Sequence, residues 1–170
     1  MLRTSALSLL FLTLLPAVPA CGKLPDGPSQ NTQEEELKEG EENTDTAMPD
    51  TILITVSGKT LPVKIEDNAA TRALVEALQE APITYEARDY GGFEKVGPLG
   101  RTLPSSDRQI TTRAGDVILY DGDQIVLFYG SNSWSYTRLG SMQYGSTEEL
   151  RSFLKAGQGN ISVTLSFEEK

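Results

Sequence analysis

The stretch DVILYDGDQIVLFY, residues 116–129, is the most informative part of the chain about its fold. Its two halves, 116–120 and 124–129, are nearly continuous runs of apolar residues, and Asp121-Gly122-Asp123 separates them. Asp-Gly is a preferred pair in tight hairpin turns, where the central residues adopt positive φ. No glutamate follows at the spacing that a calcium loop requires. We therefore predict two neighbouring central strands joined by a turn, and no calcium site.

The region before this hairpin predicts a second hairpin and one further strand. Residues 52–56 and 60–65 alternate between apolar and other side chains on either side of Gly58, a glycine that suits a tight turn. Residues 83–87 are typical of a strand. The glycines and proline of residues 90–101 favour a long loop or a bulged crossing instead.

Two short helices are expected between the strands. The first is capped by Asp67 or Asn68, runs to about Glu80 and carries its large apolar residues on one stripe. The second opens with Ser146 and Glu149, the Ser-x-x-Glu spacing of a capping box. Each helix can therefore pack one apolar face on the sheet.

The remaining chain adds alternating strands at residues 134–139 and 161–167. We count about eight strands and two short helices in about 120 residues. The fold class is mainly β, and a small closed barrel or a strongly curled sheet is expected, because closure removes exposed strand edges.

The N-terminus has the pattern of an export signal. Residues 1–20 combine one arginine, an apolar run from Ser5 to Leu15 and small residues. The run is too short for a membrane-spanning helix. Val18-Pro19-Ala20-Cys21 resembles the bacterial lipobox, so Cys21 is the expected lipid-attachment residue; the alternative is an ordinary signal peptide that leaves Cys21 as a free thiol. Lipid attachment would hold the protein on the cell membrane or the outer membrane, and the sequence leaves that choice open.

Residues 21–50 are expected to be a disordered acidic tether, followed by one domain over residues 51–170. Nine acidic residues against two lysines, and almost no large apolar residues, occupy 22–50. A solvated spacer is favoured over a segment that captures a cation. The domain is close to charge balance, which disfavours a nucleic-acid partner.

The chain contains no histidine and one cysteine. This composition excludes Ser-His-Asp and Cys-His nucleophile pairs, histidine metal sites and an internal disulfide. We predict no catalytic residues, no metal and no cofactor.

Three segments, 90–97, 109–112 with 115–120, and 128–140, resemble the bacterial cyclophilin-like domain family, and the resemblance extends over residues 51–170. It implies a cyclophilin-type barrel capped by two helices. It implies little about activity, because the arginine, histidine and glutamine segments of the isomerase groove of true cyclophilins have no counterpart here. No catalytic residue is carried over.

Aromatic side chains next to glycine-rich loops, with arginines nearby, suit a groove for a peptide or small ligand. Trp134 is expected at the barrel rim, partly exposed and near Tyr90 and Phe93; the alternative is that it plugs one end of the barrel. The candidate ligand-binding residues are Tyr90, Phe93, Arg101, Tyr129, Asn132, Trp134, Tyr136 and Arg138.

These features predict a non-catalytic binding module. The alternatives are a peptidyl-prolyl isomerase, in which Arg101 or Arg138 would donate to the proline nitrogen, and a structural domain without a ligand. The expected partners are the membrane, through the lipid, and an unidentified peptide or small ligand.

Overall fold

The computed structural model describes residues 48–167, and the predicted signal peptide, Cys21 and most of the tether lie outside that range. Nine strands and two helices occur within it. The helices are α1 (Ala69–Glu80) and α2 (Thr147–Phe153). The strands are β1 (Thr51–Val56), β2 (Lys59–Ile65), β3 (Ile83–Tyr90), β4 (Glu94–Pro98), β5 (Arg108–Thr111), β6 (Asp116–Tyr120), β7 (Gln124–Phe128), β8 (Ser133–Met142) and β9 (Ile161–Ser166).

Eight of the strands form a closed antiparallel barrel. Their order is β2-β1-β9-β3-β4-β7-β6-β8, and pairing of β2 with β8 closes the ring. The ninth strand, β5, lies outside the ring and pairs with the first residues of β8, where Ile110 faces Trp134. The predicted mainly β fold is confirmed, and it is a closed barrel rather than a curled open sheet.

The predicted hairpin turns have the expected backbone. Asp121 and Gly122 have φ of 52° and 75°, and Ser57 and Gly58 have φ of 50° and 75°. Two successive residues with positive φ match the right-handed twist of the flanking strands. The turn chemistry therefore sets the register of both hairpins.

The interpretation of residues 90–101 as a loop or bulged crossing was wrong for half of its length, residues 90 and 94–98, which are in strands. β3 continues to Tyr90, a turn at Gly91 and Gly92 follows, and β4 begins at Glu94. Gly97 is a residue of β4, and this position requires glycine because a Cβ here would collide with the Glu86 carbonyl oxygen. This glycine marks a close backbone approach rather than a loop.

Both helices begin where the sequence predicts. Asn68, rather than Asp67, caps α1: its Oδ1 accepts a hydrogen bond from the Thr71 N–H, and its Nδ2 donates to the Arg138 carbonyl. Ser146 caps α2 by accepting from the Glu149 N–H. Each helix contributes apolar residues to the barrel core, among them Leu74 and Leu150.

The central strands bury both faces, which explains their continuous apolar sequences. In β7, Ile125 and Leu127 belong to the main core, whereas Val126 and Phe128 belong to a second cluster on the opposite, outer face. The second cluster consists of Val96, Ile118, Val126, Phe128 and Tyr136, with Phe93 and Ile110 packed against it. The side chains along the outer face of these strands form the site described next.

Candidate functional site

A groove of about 780 Å³ lies on this outer face, and we call it the outer groove. It draws side chains from β3, β4, β6, β7 and β8, from the β6–β7 turn and from the segment between β7 and β8. Strand register brings them together, because Val96 pairs with Val126 and Tyr120 pairs with Gln124. The lining residues are Arg88, Tyr90, Glu94, Val96, Pro98, Tyr120, Asp121, Asp123, Gln124, Val126, Asn132, Trp134 and Tyr136.

Aromatic side chains form much of the groove wall. Within residues 48–167, the exposed large hydrophobic side chains are Tyr90 (59% exposed), Tyr120 (39%) and Trp134 (56%). All three line the outer groove. Isolated exposed aromatics are ordinary, but their concentration in one concave surface is typical of a binding site.

The groove floor is held by packing and by one polar contact. The Tyr136 ring makes edge contacts with Tyr120 and Phe128, at centroid distances of 5.9 and 5.8 Å. Asn132 Nδ2 donates to the Tyr136 hydroxyl oxygen at 2.9 Å. Burial raises the pKa of Tyr136. These contacts fix the ring orientation, so the floor is formed before any ligand arrives.

Glu94 is the unusual polar group of the groove. Its side chain is only 5% exposed, and its Oε2 is buried without a hydrogen-bond partner among the described residues. Burial disfavours a charged carboxylate and raises the pKa of Glu94 to about 7. Close to neutral pH this side chain can therefore accept or donate a hydrogen bond, depending on its protonation state.

The structure brings four of the eight predicted site residues into the outer groove. These are Tyr90, Asn132, Trp134 and Tyr136. Trp134 is exposed at the beginning of β8, as expected, and it does not plug the barrel.

Phe93 and Tyr129 do not line the groove. The Phe93 ring packs parallel to Phe128 at 6.2 Å, within the outer cluster. Tyr129 is buried in the main core, and its hydroxyl donates to Asp89 at 3.0 Å.

The two predicted arginines are also outside the groove. Arg138 donates to Asp116 Oδ2 at 2.9 Å and lines a different cavity with Lys64 and Tyr144. Arg101 is exposed in the segment after β4 and is not a lining residue. The guanidinium of the groove belongs to Arg88, which the sequence analysis did not select.

Arg88, Glu94 and Tyr120 are the main residues that sequence reasoning missed. Arg88 and Tyr90 are two apart in β3, so they share a face, and Tyr90 pairs directly with Glu94. Period-two alternation along residues 83–98 is the signal that would have identified Arg88 and Glu94. Tyr120 ends the apolar β6 and was interpreted only as part of a central strand.

A second polar network lies at one end of the barrel interior. Lys95 is fully buried, and its Nζ contacts Asp89 Oδ1 at 2.8 Å and the Gly159 carbonyl. Burial alone would raise the pKa of Asp89, but hydrogen bonds from Lys95, Gly157, Gly159 and Tyr129 hold it at about 2. These partners satisfy the carboxylate, so the network ties the 157–159 segment to β3.

Residues 48–167 contain no group of three or more acidic, cysteine or histidine side chains arranged to hold a metal. In the same range, no helix has the length and apolarity needed to span a bilayer.

Two solved structures align with this chain. The hypothetical protein AF2241 from Archaeoglobus fulgidus, determined in solution, aligns with a TM-score of 0.50 and 17% identity over 71% of this chain and 96% of that chain. McbB, determined in complex with tryptophan, aligns with a TM-score of 0.47 and 14% identity over 70% of this chain and 45% of that chain. This chain thus spans less than half of McbB. No curated protein matches it in sequence.

The sequence itself carries the family signature. The profile of the cyclophilin-like family matches residues 54–166, which is well over half of the chain and includes almost the whole barrel. The chain therefore belongs to the cyclophilin-like family.

Proposed function

We propose that this chain is a lipid-anchored protein of the cell envelope whose cyclophilin-like domain binds a peptide or small ligand in the outer groove. The observation that carries the binding proposal is that Tyr90, Tyr120 and Trp134 all line one concave surface. Exposed aromatic side chains bury large areas on binding and lose little conformational entropy, so they are efficient ligand contacts. The export pattern and Cys21 support the anchored location.

The groove offers both kinds of contact that a ligand site needs. Its apolar floor consists of Val96, Val126 and the Tyr136 ring, which can bury an apolar body. Glu94, Asn132 and Gln124 supply polar atoms for orientation. This combination of an apolar surface with few convergent polar groups is typical of small-ligand and peptide sites.

The groove is tested by ligand-observed NMR of the full chain with a fragment mixture and with short peptides. Binders should lose affinity at least tenfold in Trp134→Ala and in Tyr120→Ala. Gln158→Ala, an exposed position that does not line the groove, is the control. Binders that remain unaffected by both aromatic substitutions would place the site elsewhere, and a complete lack of binders would favour a structural domain.

The isomerase alternative depends on a different residue from the ones first considered. Arg101 and Arg138 do not line the groove, whereas Arg88 lines it together with the aromatic side chains. A prolyl-isomerisation assay on the full chain tests this alternative. Catalysis that is abolished by Arg88→Ala and retained in Arg101→Ala would replace the non-catalytic proposal.

A further inference from the structure

Glu94 indicates the class of ligand, because the fold buries its carboxyl group without a hydrogen-bond partner for Oε2 within residues 48–167. Tyr90 in β3 and Phe128 in β7 pair with Glu94 on either side, so the backbone of this residue is fixed in the sheet. Its Oε2 is buried without a partner among the described residues. A buried carboxylate without a hydrogen-bond partner destabilises the folded state more than an unpaired neutral polar group does. A ligand that supplies the missing partner would remove this penalty.

Within residues 48–167, no cationic side chain pairs with Glu94. Its neighbour Lys95 points to the opposite face, where it binds Asp89. Arg88 lines the groove, but none of the ion pairs formed by residues 48–167 includes Arg88 or Glu94. The carboxylate is therefore free to bind a cation from outside.

The charge of the groove favours the same sign of ligand. Glu94, Asp121 and Asp123 are acidic lining residues, and Arg88 is the single basic one. A groove with this excess of acidic groups attracts cations and disfavours anions.

The walls add a second mode of cation recognition. The faces of tyrosine and tryptophan rings attract ammonium and guanidinium groups, most strongly when solvent is excluded. Tyr90, Tyr120, Trp134 and Tyr136 line the groove together with Glu94. Metal cations do not fit as well, since they require several oxygen ligands and the described residues contain no acidic cluster that could provide them.

We propose that the outer groove binds an organic cation, an ammonium or guanidinium group on an apolar body, with the charge paired to Glu94 and the body packed against the aromatic wall. This inference rests on the proposed binding function and specifies the ligand class of the same site. The cation can come from a free amine or from a lysine or arginine side chain of a peptide, and the experiment separates these sources.

The test uses three probes with the same body and different charge: phenethylammonium, 2-phenylethanol and phenylacetate. Each is titrated into the full chain, and binding is followed by Trp134 fluorescence, excited where the probes do not absorb, and by NMR. Trp134 is the only tryptophan and lies in the groove, so its emission reports on this site. Nα-acetyl-lysine N-methylamide and Nα-acetyl-arginine N-methylamide, whose side chains stay cationic, represent the peptide source.

We expect phenethylammonium to bind at least tenfold more tightly than the alcohol or the anion. Glu94→Gln should lower the affinity for the ammonium about tenfold, the scale of a charge-assisted hydrogen bond, and leave the affinity for the alcohol unchanged. Glu86→Gln is the matched control, because Glu86 is an exposed acid of β3 that does not line the groove. Tighter binding of a methylamide than of phenethylammonium would assign the cation to a peptide.

The affinity for the ammonium should also rise with pH, because pairing requires ionised Glu94. With a Glu94 pKa of about 7, the ionised fraction increases about 30-fold between pH 5.5 and pH 8. The other charged or titratable lining residues are Arg88, Tyr90, Tyr120, Asp121, Asp123 and Tyr136. Glu94→Gln identifies the part of the pH dependence that belongs to Glu94, and in this variant the rise should disappear.

The outcomes distinguish the two proposals. If the alcohol or phenylacetate perturbs Trp134 as strongly as the ammonium does, or if Glu94→Gln binds the ammonium like the parent, the groove binds ligands but the cation proposal is wrong. If none of the five probes binds in the groove at millimolar concentration, both the cation proposal and the binding function fail for ligands of this size.

Discussion

Replacement of Glu94 by glutamine should stabilise the protein at neutral and alkaline pH. The folded state raises the pKa of Glu94 from 4.5 to about 7 because the carboxyl group is buried. At about 1.4 kcal/mol for each pH unit, this difference corresponds to about 3 kcal/mol. Water that reaches the open groove screens the charge, so about 3 kcal/mol is an upper limit.

The pH dependence has a definite sign. Below about pH 4.5, Glu94 is protonated in both the folded and the unfolded chain, and it causes no loss of stability. Between pH 4.5 and about 7, the unfolded chain releases the proton while the folded chain retains it, so stability falls as pH rises. Above about pH 7 the loss is complete. Glutamine cannot ionise, so Glu94→Gln should match the parent near pH 4.5 and exceed it most at pH 8.

Urea denaturation at pH 4.5, 6, 7 and 8, followed by far-ultraviolet circular dichroism, measures this difference as a change in midpoint at constant slope. Glu86→Gln is the control and should remain within about 0.5 kcal/mol of the parent at every pH, as exposed substitutions usually do. A Glu94→Gln difference that does not change with pH would refute the burial argument. Destabilisation of this variant at pH 8 would show that the carboxylate already has a favourable partner.

Three further predictions concern other parts of the chain. Asp89→Asn should lose about 2 kcal/mol of stability at pH 7, because its partners lower the pKa of Asp89 from 3.8 to about 2; the gap to the parent should close between pH 4 and pH 2, and a gap that persists at pH 2 would contradict the assignment. Trp134→Ala should cost less than about 1 kcal/mol, and parent emission should be red-shifted and quenched by acrylamide; a blue-shifted, unquenched spectrum would contradict the observed exposure. Cys21→Ser should leave the protein unprocessed, or should make it soluble, so that it leaves the detergent phase in detergent phase partitioning. A variant that enters the detergent phase as the parent does would exclude lipid attachment at Cys21.

Local patterns account for most of the fold prediction. The alternation in 52–65 and 161–167, the turn at Asp121-Gly122 and the cap at Ser146 all act over a few residues, so they can be recognised in the linear chain. The error at residues 90–101 arose because glycine has two structural roles in this segment. Gly91 and Gly92 make a turn, whereas Gly97 admits a neighbouring strand, and only the paired backbone separates these uses.

The site was harder to predict than the fold. Aromatic character led to Tyr90, Trp134 and Tyr136, which line the groove, but equally to Phe93 and Tyr129, which do not. Both groups consist of aromatic residues near glycine-rich segments. Tyr129 packs in the main core, whereas Phe93 stacks on Phe128 in the outer cluster without lining the groove. In strands that are buried on both sides, hydrophobicity does not indicate the face.

Local patterns predicted most of the strands, both helices and the hairpin turns, because these depend on short-range periodicity and backbone preference, but they did not predict β4. Closure of the barrel decided which face of each strand became the interior. Glu94 and Lys95 are adjacent in sequence, and neither is expected to be buried; yet strand alternation directs Lys95 inward to Asp89 and Glu94 outward into the groove. The groove contains residues from Arg88 to Tyr136, and their proximity depends on the cross-strand register between distant segments, which no local pattern encodes.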